Sequence, residues 1–290
     1  MRSTSDILKK VRELEIRSKK LARGLFSGGY HSAFKGKGMS FKEVREYAPG
    51  DDVRFIDWNV SARFGHPFSK LFEEERELMV MLVVDISKSS LFGTEYGRKK
   101  DVATEIAAVL AFSAVNNGDK VGAILYSDKV EKYIAPKKGR EHALYIVREI
   151  LSTEATGKGT NLSNALKYFS NAVRRSSIAF ILSDFIDSGF DDSLRIVGKK
   201  HDLIGIQVYD RMDKELPKAG LVQLVDAETG KAGWVDSSNA YVRRKYEDLF
   251  FEKTSNCVNA FRKAGSDLLH VRTGEDYVFV LQRFFRSRIK

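Results

Sequence analysis

The strongest constraint on the fold is an apolar run that ends at an aspartate. Residues 78–84 carry no polar side chain, and Asp85 follows directly. A strand buried on both faces of a parallel sheet has this pattern, because it has no solvent face that would require alternation. Residues 178–182 form a second such run, which ends at Ser183 and Asp184. Two polar strand ends are therefore expected at one edge of a parallel sheet, where α/β proteins bind ligands.

Strand and helix patterns alternate after residue 78. Further strands are predicted at 121–126, 130–134, 203–208, 221–225, 232–235 and 267–271, and helices at about 98–117, 141–151, 162–173, 238–264 and 275–287. This alternation is typical of an α/β fold, here a Rossmann-like doubly wound, mostly parallel sheet with helices on both faces. Residues 76–290 contain no repeat or low-complexity linker and are predicted to form one domain.

The first 75 residues are predicted to be a helical and irregular extension that packs on the main domain. Apolar residues at three-to-four spacing predict a helix over 5–25. A glycine-rich stretch at 28–38 breaks regular structure. Residues 39–66 are expected to mix short helical pieces and turns, and alternation over 68–72 predicts a strand.

Five oxygen donors are expected near the two strand ends: Asp85, Ser87, Ser89, Thr160 and Asp184. Two carboxylates and three hydroxyls form a donor set that suits a hard cation such as Mg²⁺, and Mn²⁺ or Ca²⁺ would accept the same donors. The neutral hydroxyls leave part of the ion's charge uncompensated, so it can attract a carboxylate from a protein partner. Taken singly, a threonine before a helix is usually an N-cap and an aspartate after a strand a turn residue. Their joint placement favours the metal site.

The pattern Asp85-x-Ser87-x-Ser89, Thr160, Asp184 resembles the metal-ion-dependent adhesion site of von Willebrand factor A domains. The resemblance implies direct Mg²⁺ coordination by the three hydroxyls, with the two carboxylates acting mostly through waters. Ser90 departs from the pattern, since many such sites have methionine there, but it lies outside the ligand set.

A second pattern lies upstream of the metal motif. It comprises Gly36, Gly38, Phe41, Val44-Arg45-Glu46-Tyr47, Pro49-Gly50-Asp51-Asp52, Arg54, Ile56-Asp57-Trp58 and Ser61-Ala62-Arg63. It resembles the signature of the bacterial domain-of-unknown-function family 58, whose members are typically found with MoxR-type AAA+ ATPases and are thought to act as adaptors or chaperone-like partners. The resemblance therefore implies a MoxR-type ATPase as partner. Without the resemblance, the charged residues of this segment favour a structural ion-pair network around Trp58 over a partner surface. The network would join Arg45, Arg54 and Arg63 with Glu46, Asp52 and Asp57.

The formal charge of +10 and the basic first seventy residues raise the question of nucleic acid. No zinc-finger spacing, RNP-type motif or helix-turn-helix pattern is present, so specific nucleic-acid binding is not expected. Membrane contact is expected only through a partner or the basic N-terminal segment. The single cysteine, Cys257, is expected to be buried and inert, and the chain is expected to be cytoplasmic because neither a signal-peptide pattern nor a spanning apolar run occurs.

Catalysis is not expected. A haloacid-dehalogenase-type hydrolase needs a second carboxylate at the position of Ser87, and the five histidines are scattered without ligand spacing. The loop 157–160 lacks the ending of a phosphate-binding loop. The expected function is non-enzymatic, metal-dependent protein binding; a Mg²⁺-dependent hydrolase and a basic N-terminal binder of nucleic acid or anionic membrane remain the alternatives.

Overall fold

The computed structural model describes residues 7, 9–17, 40–73 and 78–288. The chain divides into two compact units, one of residues 34–77 and one that combines 1–33 with 78–290. The predicted N-terminal helix is observed over 9–17 (α1), whereas the glycine-rich stretch lies outside the described residues. The predicted packing of residues 1–75 on the main domain stays a prediction.

The smaller unit is an antiparallel strand pair with a short helix between its strands. Its elements are β1 (Ser40–Glu46), α2 (Trp58–Phe64) and β2 (Phe68–Glu73). The expectation of only helical pieces and turns over 39–66 is wrong for β1. This segment becomes a strand because β2 supplies its partner, aligning Val44 with Lys70 and Arg45 with Ser69, and strand formation depends on such remote neighbours.

Two arginines of the smaller unit pair with aspartates close to them in the chain. Arg45 lies 2.7 Å from Asp51, and Arg54 lies 2.5 Å from Asp52. The side chain of Trp58 is 71% exposed, so these pairs do not form the predicted network around it. Both pairs lie on the segment that leads from the end of β1 towards α2.

The larger unit is built on a six-stranded sheet in the order β12-β9-β8-β3-β6-β7. Its strands, including two short ones and a hairpin outside the main sheet, are β3 (Met79–Asp85), β4 (Gly93–Thr94), β5 (Gly97–Arg98), β6 (Lys120–Tyr126), β7 (Val130–Lys137), β8 (Ile178–Ser183), β9 (Asp202–Tyr209), β10 (Leu221–Val225), β11 (Ala232–Asp236) and β12 (Asp267–Arg272). All pairs in the main sheet are parallel except β6 with β7. The chain begins this sheet at its centre and builds outward in both directions, which confirms the predicted doubly wound fold.

Helices cover both faces of the main sheet. They are α3 (Lys99–Asn116), α4 (Arg140–Ser152), α5 (Leu162–Ala172), α6 (Asp191–Gly198), α7 (Arg211–Lys214), α8 (Ala240–Lys263) and α9 (Tyr277–Arg288). Met81 and Val83 share a core with α5, α6 and α8. Phe180 points to the opposite face, where its ring meets Phe285 of α9. Within the described residues, no helix combines the length and apolar character needed to span a membrane.

Candidate metal centre

The predicted site residues lie at one edge of the main sheet. Asp85 ends β3, and Asp184 directly follows β8, which pairs with β3 in parallel. Ser89 lies within the short 3-10 helix at Lys88–Leu91, and Ser87 directly precedes that helix. Strand order reverses between β3 and β8, and this is the place in an open α/β sheet where ligands bind.

Asp85 is held by hydrogen bonds from both sides. Its Oδ1 accepts from the backbone N–H of Ser87 at 2.9 Å, and its Oδ2 accepts from the hydroxyl of Ser183 at 2.7 Å. The residue is 2% exposed. Burial, and then the negative charge of Asp184, raise the pKa of Asp85 to about 7. Two carboxylates that repel each other in a buried position form a setting that a cation would stabilise.

The two serine hydroxyls have the spacing of neighbouring metal ligands. Ser87 Oγ and Ser89 Oγ are 3.0 Å apart. Two adjacent oxygen ligands of an octahedral Mg²⁺ ion would be separated by about 2.9 Å, given its usual metal–oxygen distances. Ser90 is engaged differently, because its hydroxyl donates to the carbonyl of Ser87 at 2.6 Å and stabilises the turn.

Tyr126 adds a polar atom beside the carboxylates. It ends β6, next to β3, and is fully buried. Its hydroxyl has no hydrogen-bond partner of good geometry among the described residues. Burial, followed by the charge of Asp85, raises the pKa of Tyr126. A hydrated cation at Asp85 would bring polar groups to this otherwise unsatisfied hydroxyl.

Lys99 places a buried cation at the site that no sequence pattern predicts. Its Nζ lies 2.8 Å from Asp184 and 3.2 Å from Asp213, and its side chain is 3% exposed. Burial by itself would lower the pKa of Lys99, but the charges of Asp184 and Asp213 outweigh it and raise the pKa. One ammonium thus pairs with two carboxylates, and the carboxyl group of Asp85 lies close enough to feel the charge of Asp184.

Thr160 reaches the same edge on a loop anchored to the end of β6. The backbone N–H of Asn161 donates to the carbonyl of Ser127 at 2.8 Å. The side chain of Asn161, and not that of Thr160, caps α5 by accepting from the N–H of Asn164. The alternative role of Thr160 as an N-cap is therefore wrong, and its hydroxyl donates instead to Glu228.

Glu131 holds the start of this loop. Its carboxylate accepts hydrogen bonds from Ser127 Oγ at 2.6 Å, Thr156 Oγ1 at 2.8 Å and Gly157 N at 2.9 Å. Burial raises the pKa of Glu131, but these hydrogen bonds outweigh it and lower the pKa to about 2. At Gly157 the loop lies so close to Asp128 that a Cβ at residue 157 would be 1.9 Å from Asp128 Oδ1. This close approach explains why the position is a glycine.

Groups of three or more His, Cys, Asp or Glu side chains suited to a metal are absent from the described residues. A cation at the strand ends would therefore depend on the hydroxyl groups as well as on the carboxylates. Hydroxyl and carboxylate oxygens suit Mg²⁺, Mn²⁺ and Ca²⁺ better than they suit softer metals. The residues present fit the predicted ion in donor type and in the spacing of the serine hydroxyls.

Comparison with known proteins identifies the family. Residues 43–255 match the family described as "Protein of unknown function DUF58". The chain belongs to the DUF58 family. It is 32% identical over 281 residues to the uncharacterized protein Rv1480 of Mycobacterium tuberculosis, covering 96% of this chain and 88% of that one. It is 33% identical over 108 residues to the uncharacterized protein YeaD of Bacillus subtilis, covering 37% of this chain and 25% of that one.

A solved structure shares the fold of this DUF58 protein. An aerotolerance-related membrane protein from Bacteroides fragilis aligns with a TM-score of 0.50 and 13% identity, covering 73% of this chain and 98% of that one. The low identity limits this likeness to the fold. The predicted membership of domain-of-unknown-function family 58 and the predicted α/β fold are both confirmed.

Proposed function

We propose that this DUF58 protein is a metal-dependent protein-interaction module. Its ion would be Mg²⁺, held by Asp85, Ser87, Ser89, Thr160 and Asp184. The proposal depends on one observation above all: two buried carboxyl groups, Asp85 and Asp184, at the switch point of the sheet lie beside serine hydroxyls 3.0 Å apart. Negative charge that is not fully compensated in a buried site favours cation binding.

The donor types suggest how the site would recognise a partner. The hydroxyls of Ser87, Ser89 and Thr160 would contact the ion directly, and the two carboxylates would act mostly through water molecules. Neutral hydroxyls leave net positive charge on a divalent ion, so an acidic side chain of another protein can complete its coordination. Doubly wound domains of the von Willebrand factor A type commonly mediate protein interactions, which supports a protein partner.

The partner class that we propose is a MoxR-type AAA+ ATPase, with this chain as a cytoplasmic adaptor or chaperone-like protein. This choice of partner rests on the fact that DUF58 proteins are typically found together with MoxR-type ATPases. We propose a non-enzymatic role because all five residues of the site are assigned as ligands of the ion. None of them is then left to act as a nucleophile or a general base.

Metal titration of single-site variants tests the proposal. Calorimetry with Mg²⁺ or Mn²⁺ should show one site in the wild type that Asp85→Ala abolishes and Ser89→Ala weakens. Ser188→Ala removes a hydroxyl from an exposed position near the same sheet edge and should bind like the wild type. Circular dichroism checks that each variant folds. Failure of the wild type to bind a divalent ion, even with a partner present, would refute the mechanism.

Affinity capture under Mg²⁺ tests the partner. Wild-type protein should retain a MoxR-type ATPase, and Asp85→Ala should lose it. If the purified protein instead hydrolyses a phosphoester with Mg²⁺, and Asp85→Asn removes that activity, the hydrolase alternative replaces the adaptor proposal.

A further inference from the structure

The turn of the β10–β11 hairpin brings a carboxylate to Thr160. Thr160 Oγ1 donates a hydrogen bond to Glu228 Oε1 at 2.5 Å across 68 residues of chain. The second carboxylate oxygen, Oε2, would lie 3.5 Å from a Cβ placed on Gly159. Both oxygens of Glu228 therefore lie against the loop that carries a predicted metal ligand.

The turn that carries Glu228 is well fixed. Asp226 Oδ1 accepts from the backbone N–H groups of Glu228 at 2.9 Å and Thr229 at 2.7 Å. The N–H of Gly230 donates to the carbonyl of Asp226 at 2.8 Å, and Gly230 has the positive φ of 70° that this turn requires. Glu228 is half-buried, whereas Ala227 and Thr229 beside it are exposed. The contact with Thr160 thus partly buries Glu228, whereas its neighbours in the turn stay exposed.

The direction of this hydrogen bond suits a metal ligand. A hydroxyl that binds a cation through an oxygen lone pair must direct its proton elsewhere, and a carboxylate is a strong acceptor for it. Partners of this kind orient the ligands of a metal and add to the negative charge around it. The Thr160 hydroxyl uses its hydrogen in the bond to Glu228, so the lone pairs of its oxygen remain available to an ion.

We propose that Glu228 is a sixth residue of the site, a positioning residue that orients Thr160 and couples the β10–β11 hairpin to the metal. This inference rests on the proposed function, because it assigns a role toward the same ion. Coupling of this kind is reciprocal: if Glu228 strengthens metal binding, the metal must stabilise the position of the hairpin turn.

A double-mutant cycle tests whether Glu228 acts through Thr160. Mn²⁺ affinity is measured by electron paramagnetic resonance for the wild type, Glu228→Gln, Thr160→Ala and the double variant. Loss of a residue that orients a ligand typically weakens metal binding about 10- to 100-fold, and we expect Glu228→Gln to do so in the wild-type background. In the Thr160→Ala background it should cause no further loss. Glu252→Gln, which removes the same charge from an exposed position on α8, should bind Mn²⁺ like the wild type.

Hydrogen exchange gives a second measurement. Mg²⁺ should increase the protection of the amides at 226–231 in the wild type and leave them unchanged in Glu228→Gln. The inference is overturned if the wild type and Glu228→Gln bind Mn²⁺ with equal affinity. It is also overturned if Glu228→Gln weakens Mn²⁺ binding equally with and without the Thr160 hydroxyl. In both cases the proposed function stands if Asp85→Ala still abolishes binding. A wild type that binds no ion overturns both this inference and the proposed function.

Discussion

Lys99 is a buried cation between two carboxylates. Its replacement by methionine measures how much this charge contributes to the free energy of unfolding. Its Nζ lies 2.8 Å from Asp184 and 3.2 Å from Asp213. Methionine is also long and unbranched, so Lys99→Met retains most of the packing but removes the cation. Removal of one partner from a buried ion pair typically costs about 3–5 kcal/mol, and we expect a decrease of this size in the free energy of unfolding at neutral pH.

The loss should depend on pH, since a carboxylate without its cation can take up a proton. Burial raises the pKa of Asp213 even in the presence of Lys99. Removal of the ammonium raises this pKa further. A carboxyl whose pKa is higher in the folded than in the unfolded state binds more protons when folded, so stability falls as the pH rises through this range. The difference between wild type and Lys99→Met should therefore be smaller at pH 5 than at pH 8.

Urea unfolding followed by circular dichroism at both pH values measures this effect. Lys245→Met is the control, because it makes the same change at an exposed position on α8. It should alter the free energy of unfolding by less than about 0.5 kcal/mol. The reasoning from buried charge would be refuted if Lys99→Met lowered the free energy of unfolding by less than about 1 kcal/mol at pH 8. An equal decrease in this free energy at the two pH values would also refute it.

Two further predictions concern the frame of the site. Gly205→Ala places a Cβ 2.5 Å from the ring of Phe261, and overpacking of this kind should cost about 1–3 kcal/mol of stability in urea unfolding. Gly233→Ala has open space around it and is the control; equal effects of the two changes would contradict the packing argument. Ser183→Ala removes the 2.7 Å hydrogen bond to Asp85 and should cost about 1–3 kcal/mol near neutral pH. The same measurement checks it, and an unchanged unfolding midpoint would contradict the assigned role of Ser183.

The central strands and the two carboxylates at their ends can be predicted from the amino-acid sequence. Strands β3 and β8 lie between neighbouring strands and under helices on both faces, so they require apolar side chains at successive positions. Such a run is visible without a structure, and it places Asp85 and Asp184 at one edge of the sheet. The spacing that puts Ser87 and Ser89 beside Asp85 is also local in the chain.

Which charges meet at this edge depends on how distant parts of the chain pack. Lys99 contacts Asp184 across 85 residues of chain, and Glu228 contacts Thr160 across 68. A lysine at the start of a helix and a glutamate in a hairpin turn are ordinary at their own positions, so no local pattern distinguishes them. No local pattern predicts strand β1 either, since its partner strand is remote in sequence. Periodicity reports which face of an element is buried, but the neighbour of a polar side chain depends on how separate elements pack.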